Sequence, residues 1–319
     1  MRCRTPGDKA RSEPKIISII LATYRTNGRR WPGVESDTST SCDTPLDSVQ
    51  VKAMAQIELG LGDEKLARAE WIAACHFHDL TEAQVLAKVS ERVQSTPKPV
   101  VLLDLDSTLY EVGPRTFQIL KEWILSTRDR DLMDHLHLFK EFDATHVGYS
   151  VKDTFEALGI SPDYPQYDAL VKSAKEFWGD RFFTSAYLRY DHPYPGAPEF
   201  AQKIYDSGAT LVYLTGRDEK NMGPGTIANL IRDHFPWGKD KRTHLLLKPL
   251  VTMNDLEHKV RAGAFVKAKG NLVASFENEP PNVVALSQVF PESMHVFVDT
   301  IYSDHLAPVC RGLYRIKGF

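Results

Sequence analysis

Cysteine is scarce in this chain, and its four cysteines form no CxxC pair. Neither a disulfide framework nor a zinc site built on paired cysteines is indicated, so a reducing cytoplasm is the expected compartment. The formal net charge is only -3 over 319 residues, which argues against a surface that coats nucleic acid or binds an acidic membrane. The cysteines are Cys3, Cys42, Cys75 and Cys310.

Long apolar runs and several common catalytic motifs are also missing. No stretch approaches the ~18 consecutive apolar residues of a membrane span. The run IISIILA at residues 16–22 follows basic residues, but it is short and no small-x-small cleavage site follows it, so secretion is not predicted. The chain has no GxSxG motif, and GPGT at residues 223–226 lacks the Lys-Ser/Thr ending of a phosphate-binding loop.

Composition and periodicity divide the chain into four parts. The first part is polar and rich in turn formers, which indicates a flexible extension or non-native sequence read from an upstream start codon. The second part is predicted to be helical, with a capping box at Thr81 and Gln84. The third part alternates strands with helices, and the fourth, inserted into it, is mostly helical. The parts are residues 1–48, residues 49–97, residues 98–110 with 195–319, and residues 111–194.

Short apolar runs separated by helical segments predict an α/β fold. They favour a Rossmann-like core, in which a parallel sheet has helices on both faces, joined to a separate helical domain. In such sheets ligands bind beyond the carboxyl ends of the strands. The predicted strands are VVLL ending before Asp104, ATLVYLTGR (209–217), THLLLKP (243–249), NLVASFENEP (271–280) and HVFVDT (295–300).

Carboxylates cluster where these strands end. Asp104 and Asp106 follow the first strand, and Glu277 lies at the end of a late one. Neighbouring carboxylates repel each other unless a cation lies between them, and Mg2+ prefers hard oxygen ligands. A carboxylate beside such a metal can attack a phosphoryl group, and a second carboxyl group can transfer protons.

Four motifs in order resemble the haloacid dehalogenase-like hydrolase superfamily, specifically its phosphatase branch. They are DLDST at 104–108, LTGR at 214–217, a downstream lysine and the acidic strand end FENEP, and the resemblance covers roughly residues 98–302. It implies that Asp104 is the nucleophile that becomes an aspartyl-phosphate and that Asp106 is the general acid and base. Dehalogenase members lack the second aspartate, so Asp106 favours phosphoryl transfer.

The same resemblance assigns the phosphate-binding residues. Thr215 would hydrogen-bond a phosphoryl oxygen, with Ser107, Thr108, Gly216 and Arg217 around the substrate. The third-motif lysine is either Lys259, which lies 18 positions before Glu277 and is favoured, or Lys248 in LLLKP.

Mg2+ is the expected cofactor, with Asp104, Asp106, Glu277 and Asn278 as its ligands. The sequence Glu277-Asn278-Glu279 departs from the family pattern, because an amide stands where a charged metal ligand is usual. This departure implies weaker metal binding and leaves open a catalytically degenerate site.

Residues 111–194 stand where the superfamily inserts a helical cap after its first motif. Such a cap would exclude water and contact the substrate. Its candidate contacts are Arg115, Trp178, Arg181, Phe182 and Arg189.

The sequence therefore predicts a cytoplasmic, Mg2+-dependent phosphatase that hydrolyses a small phosphomonoester. A phosphotransferase of the same superfamily and a degenerate binding or regulatory module are the alternatives. No membrane partner is expected, and nucleic acid is disfavoured, although a phosphorylated nucleotide or polynucleotide end remains open as a substrate. The oligomeric state is not predicted.

Overall fold

The computed structural model of this chain describes residues 34–36, 47–50, 65–301, 303 and 305–319. Most of the predicted extension lies outside these residues, as do residues 51–64 of the segment predicted to be helical. In the part of the chain that is described, no helix is long and apolar enough to cross a lipid bilayer.

Strands and helices alternate along the described chain. The strands are β1 (Val34–Ser36), β2 (Lys65–Leu66), β3 (His76–Phe77), β4 (Pro99–Leu103), β5 (Tyr110–Glu111), β6 (His192–Pro193), β7 (Thr210–Asp218), β8 (Thr243–Lys248), β9 (Asn271–Glu277), β10 (Met294–Val298), β11 (Ala307–Pro308) and β12 (Arg311–Ile316). The α-helices are α1 (Arg68–Ala74), α2 (Glu82–Ser95), α3 (Gly113–Ser126), α4 (Arg130–Met133), α5 (Val151–Ala157), α6 (Tyr167–Phe182), α7 (Ala197–Asp206), α8 (Glu219–Arg232), α9 (Asp255–Lys269) and α10 (Pro280–Val289).

Among the described residues, eight strands form one sheet in the order β1-β8-β7-β4-β9-β10-β12-β3. Every neighbouring pair in this sheet is parallel. All six residues of β8 are buried, and because successive side chains point to opposite faces, both faces of the sheet are covered there. The predicted α/β fold with a parallel sheet is therefore confirmed.

Two strands at one end of the sheet, β12 and the edge strand β3, differ from the sequence prediction. The segment 49–97 contains helices α1 and α2, and the capping box at Thr81 and Gln84 is confirmed, but it also contributes β3 to the sheet. Strand β12, which pairs with β10, was not predicted at all. Both strands depend on pairing partners distant in sequence, and a two-residue strand such as β3 has no periodicity to read.

The order of the strands reverses at β4. Strand β7 pairs with one side of β4, whereas β9, which follows β8 in the chain, pairs with the other side. The connections that leave these strands therefore diverge and open a crevice beyond their carboxyl ends. This is where Asp104 follows β4 directly.

A helical insert, residues 112–191, interrupts the core between β5 and β6. These two strands pair antiparallel, with Tyr110 opposite Pro193 and Glu111 opposite His192, so the insert leaves and rejoins the core at one place. It lies within the segment 111–194 that sequence analysis assigned to a cap. The insert has an apolar cluster of its own, which includes Trp123, Phe139, Phe155 and Leu170.

Candidate active site

A cavity of about 380 Å3 opens at the carboxyl ends of β4, β7 and β9. The helical insert forms its opposite wall, so the cavity lies between the sheet and the insert. Its volume falls within the range of pockets that bind small molecules. The sheet side of the cavity carries the charged residues Asp104, Asp106, Lys259 and Glu277, together with Asn278.

A tight turn after β4 places two aspartates at this cavity. Ser107 has a φ of 59°, which lies in the left-handed region that few residues other than glycine adopt. Its backbone N–H donates to the carbonyl oxygen of Tyr110 at 2.7 Å and closes the turn. Asp104, Asp106 and Ser107 all line the cavity, so the strained backbone lies at the candidate site itself.

Asp104 is almost fully buried, and both of its carboxylate oxygens accept hydrogen bonds. Lys259 Nζ donates to Oδ1 at 2.8 Å, and Thr108 Oγ1 donates to Oδ2 at 2.8 Å. Burial and the neighbouring Glu277 carboxylate raise the pKa of Asp104 to about 7, although Lys259 acts in the opposite direction. These two donors hold the carboxylate in one orientation at the floor of the cavity.

The ammonium group of Lys259 joins two carboxylates. It donates to Asp104 and to Glu277, and its side chain is buried. Burial alone would lower the pKa of Lys259, but the two carboxylates outweigh burial and raise it above its usual range. The other oxygen of Glu277 accepts the backbone N–H of Glu279 at 3.0 Å. Lys259 is therefore a fixed positive charge at the cavity.

Lys248, the alternative third-motif lysine, does not reach Asp104. Its Nζ donates to Asp255 Oδ1 at 2.6 Å and to the carbonyl oxygen of Met253 at 3.1 Å. Lys248 ends strand β8, whereas Lys259 lies in the second turn of α9. Of the two lysines, the structure therefore brings only Lys259 to the predicted nucleophile.

Asp106 is held by two arginines. Arg115 Nη2 donates to Oδ1 at 2.7 Å, Arg217 Nη2 donates to the same oxygen at 2.6 Å, and Arg217 Nε donates to Oδ2 at 3.0 Å. Burial raises the pKa of Asp106, but Arg217 and Arg115 together hold it well below its usual range. In this arrangement Asp106 is an ionised carboxylate, which can accept a proton but has none to donate.

A second buried aspartate, Asp191, holds the same two arginines from the other side. It accepts from Arg115 at 2.7 and 2.8 Å and from Arg217 at 2.9 Å. Burial raises the pKa of Asp191, and both arginines oppose that rise. Two cations and two anions thus form a network, buried except for part of Asp106, that joins the insert, through Arg115 and Asp191, to the core, through Asp106 and Arg217.

Sequence analysis assigned Arg115 only a possible substrate contact and did not single out Asp191. Arg115, Ile119 and Trp123 are spaced four residues apart, so they share one face of α3, and all three are buried. An arginine on the same helix face as two large apolar residues predicts a buried charge, so the position of Arg115 could have been predicted from the sequence. Asp191 is the last residue of the insert, directly before β6, and had no comparable signal.

Two of the four predicted metal ligands, Asp104 and Asn278, have oxygens that contact the same hydroxyl group. Thr108 Oγ1 contacts Asp104 Oδ2 at 2.8 Å and Asn278 Oδ1 at 3.1 Å. The Asn278 amide is oriented by its Nδ2, which donates to the carbonyl oxygen of Ile301 at 2.7 Å. A carboxylate and an amide oxygen side by side fit the preference of Mg2+ for hard ligands supplemented by water.

The other two predicted ligands, Asp106 and Glu277, also have cationic partners, as Asp104 does. Both carboxylate oxygens of Asp106 accept from arginines, and Glu277 accepts from Lys259. Within the described ranges no group of three or more His, Cys, Asp or Glu side chains has the arrangement of a metal site.

The predicted phosphate-binding residues divide into two sets. Ser107, Gly216 and Arg217 line the cavity. Thr108 and Thr215 are fully buried behind it, and the Thr215 hydroxyl oxygen accepts the backbone N–H of Arg217 at 3.3 Å. Of the insert residues considered as substrate contacts, Trp178 and Phe182 line the cavity, whereas Arg115, Arg181 and Arg189 do not.

No protein-family model matches this chain, and no curated protein matches it. Solved structures do match. One is a predicted phosphatase from Clostridium acetobutylicum, with 13% identity, a TM-score of 0.37, and coverage of 67% of this chain and 93% of that one. Another is a hydrolase of the haloacid dehalogenase-like family from Streptococcus pneumoniae, with 13% identity, a TM-score of 0.35, and coverage of 62% and 83%.

A third match is a predicted phosphoglycolate phosphatase from Haemophilus somnus, with 16% identity and a TM-score of 0.36, covering 66% of this chain and 92% of that one. These structures bear names from the superfamily that the sequence motifs resemble. With identities and TM-scores this low, a function for this chain has to be argued from the geometry of its own site.

Proposed function

We propose that this protein is a phosphatase that hydrolyses a phosphomonoester through an aspartyl-phosphate on Asp104, with Mg2+ as its cofactor. The observation that carries the proposal is the position of Asp104. Its carboxylate lies at the floor of the cavity, held between the Lys259 ammonium and the Thr108 hydroxyl. A carboxylate held in one orientation can attack the phosphorus atom of a bound substrate from one defined direction.

In the first step an oxygen of Asp104 forms a bond to phosphorus, and the bond from phosphorus to the ester oxygen breaks. The ester oxygen leaves as an anion, which takes up a proton from water, and the phosphoryl group remains on Asp104. Lys259 is close enough to Asp104 to offset negative charge on the phosphoryl oxygens as it develops. Arg217, which also lines the cavity, is a second cation on this side.

In the second step water attacks phosphorus, the bond to Asp104 breaks, and inorganic phosphate is released. Asp106 is the carboxylate at the cavity that would accept the proton of that water, and an arginine contact would have to loosen first, because the two arginines lower its basicity. Donating a proton to the leaving alcohol in the first step would require an arginine contact to loosen. Leaving groups that are stable as anions would not need that donation.

Asp104 and Asn278 are the residues that would hold Mg2+, because both line the cavity and their side chains lie close enough for one hydroxyl, that of Thr108, to contact both. When bound, the ion would supply positive charge to the phosphoryl oxygens. Glu277 would join it only by releasing Lys259.

One observation favours a binding or regulatory module as the second candidate. The carboxylates of Asp106 and Glu277 already have cationic partners, so a bound phosphate could be recognised without turnover. A phosphotransferase would differ from the phosphatase only in the acceptor of the second step.

Hydrolysis of 4-nitrophenyl phosphate with and without Mg2+ tests the proposal. We expect metal-dependent turnover that Asp104→Asn abolishes and that Asp163→Asn, a change at an exposed aspartate outside the cavity, leaves intact. Absence of turnover in the wild-type protein would contradict the phosphatase and favour the module. Formation of propyl phosphate in the presence of propanol would identify a phosphotransferase.

A further inference from the structure

We propose that the insert side of the cavity is a subsite for an aromatic group that carries a second negative charge. The inference rests on the proposed function, because it names the class of phosphomonoester that this site would accept. The observations that support this inference are the aromatic rings and the lysines that the insert contributes to the cavity wall.

Three aromatic rings of the insert pack together beside the cavity. Trp178 stacks on Phe182 with ring centroids 4.3 Å apart, and Phe183 meets both rings edge-on, at 5.6 and 5.1 Å. The indole Nε1 of Trp178 donates to Thr116 Oγ1 at 3.1 Å, which fixes the orientation of that ring. All three rings line the cavity, so one part of its wall is apolar, aromatic and already ordered.

Two aromatic residues at the cavity have nearly half of their surface exposed to solvent. Phe183 is 44% exposed, and Tyr149, in the loop before α5, is 48% exposed; both line the cavity. Exposed aromatic side chains that line a cavity are available to contact a ligand bound in it. A planar ring bound against Phe183 would gain offset-stacked or edge-to-face contacts with it, and Tyr149 offers a further ring in the same cavity.

Two lysines stand at the same side of the cavity. Lys152 is in the first turn of α5 and Lys175 is in α6, and both line the cavity. Neither makes a hydrogen bond or an ion pair with any residue that the structure describes. A cation in the first turn of a helix is disfavoured by the helix dipole, so helix stability does not account for Lys152.

The opposite side of the cavity carries the contrary charge. Two cations, Arg217 and Lys259, line the sheet side together with five carboxylates, those of Asp104, Asp106, Asp255, Glu277 and Glu279. A ligand whose phosphate binds at Asp104 would find its second anionic group repelled from the sheet side and attracted to Lys152 and Lys175. The charge distribution thus favours a ligand with negative groups at both ends of a ring.

Binding of non-hydrolysable phosphonates, measured by calorimetry with the full chain in Mg2+ buffer, tests the inference without requiring turnover. The probes are 4-carboxybenzylphosphonate, benzylphosphonate and butylphosphonate. We expect the first to bind about fivefold more tightly than the second, through the lysines. The second should bind about fivefold more tightly than the third, through the rings.

Matched variants assign these preferences to residues. Lys175→Met should remove most of the preference for the carboxyl group, whereas Lys172→Met, on the same helix but outside the cavity lining, should keep it. Phe183→Leu should reduce the preference for the ring, and Phe183→Tyr should retain it. Both lysines and Phe183 are exposed, so these changes are expected to leave the fold intact.

The outcomes separate this inference from the proposed function. If the three phosphonates bind equally, or do not bind, the subsite is refuted, whatever the activity on 4-nitrophenyl phosphate. If 4-carboxybenzylphosphonate binds as expected but no phosphate ester is hydrolysed, the subsite stands and the phosphatase does not. Loss of the carboxyl preference in Lys172→Met to the same extent as in Lys175→Met would also refute it.

Discussion

Lys259 Nζ lies 2.8 Å from Asp104 Oδ1, although the two residues are 155 positions apart in the sequence. The contact joins α9 to the end of β4, and Lys259 also donates to Glu277 at the end of β9. One buried ammonium group therefore connects a helix and two strand ends at the cavity.

Replacing Lys259 by methionine should lower both activity and stability. We expect kcat on an aryl phosphate to fall by about 10²-fold or more, because the cation beside the nucleophile is lost. The free energy of unfolding should fall by about 3 kcal/mol, because Asp104 and Glu277 would be left buried without their cation. Steady-state kinetics and urea unfolding measure the two effects.

The control for this change is Lys248→Met, whose lysine pairs with the half-exposed Asp255 and not with Asp104. It should leave kcat nearly unchanged. Adding Glu277→Gln to Lys259→Met should recover part of the lost stability but not the activity. Equal losses of activity in the two lysine variants would contradict the assignment.

Asp191→Asn should destabilise the protein without altering the cavity lining. Arg115 and Arg217 would then share one carboxylate in place of two, and we expect the free energy of unfolding to fall by about 3 kcal/mol. Urea unfolding measures this loss. Asp191→Asn combined with Arg115→Gln should lose less than the sum of the single changes, because the charges balance again.

Asp240→Asn serves as the comparison for Asp191→Asn, because Asp240 pairs with Arg242 at the surface. Exposed ion pairs contribute little to stability. A loss in Asp191→Asn as small as that in Asp240→Asn would show that the buried network is not needed for stability.

Thr108→Val should weaken the response to Mg2+. The hydroxyl of Thr108 contacts both Asp104 and Asn278, and loss of such an outer contact typically lowers metal affinity about tenfold or more. The measurement is the Mg2+ concentration that gives half-maximal activity. Thr154→Val, which removes a buried hydroxyl in the insert, should leave that concentration unchanged. An unchanged value in Thr108→Val would argue against metal binding by this pair.

The free energy of unfolding should decrease in mild acid because of His295. Burial lowers its pKa from 6.5 to about 4, and its ring nitrogens contact Ser275 and the carbonyl oxygen of Phe290. Between pH 6.5 and about 4 the unfolded chain binds a proton at His295 that the folded chain does not bind. The free energy of unfolding therefore falls as pH is lowered through this range.

Urea unfolding at several pH values would measure this effect. Replacing His295 by Gln should make the decline shallower than in the wild-type protein, by on the order of 1 kcal/mol per pH unit. Identical slopes for the two proteins would show that His295 does not titrate differently on folding.

The fold was predictable where burial leaves a pattern in the sequence. Strands β4 and β8 are continuous apolar runs, because helices cover both faces of a parallel sheet. Helix α2 was predictable from its capping box. Strands β3 and β12 were missed, because their pairing with each other and with β10 depends on residues far away in the chain.

The candidate site was predictable in its residue types but not in its pairings. Spacing favoured Lys259 over Lys248, and the structure brings Lys259 to Asp104. Spacing did not reveal that Asp106 is held by Arg115 and Arg217. Those contacts depend on where the insert rejoins the core, which no local pattern encodes.

The sequence by itself determined the parallel sheet and the strand ends where acidic residues and threonines are located. It did so because buried strands are written as apolar runs, and the polar residues that follow each run mark its end. Only the tertiary structure decided which cation neutralises which acid. A buried charge is stable only beside a charge of opposite sign, and the partner is set by how the elements pack in three dimensions. The distance between two residues along the chain does not indicate which of them will pair.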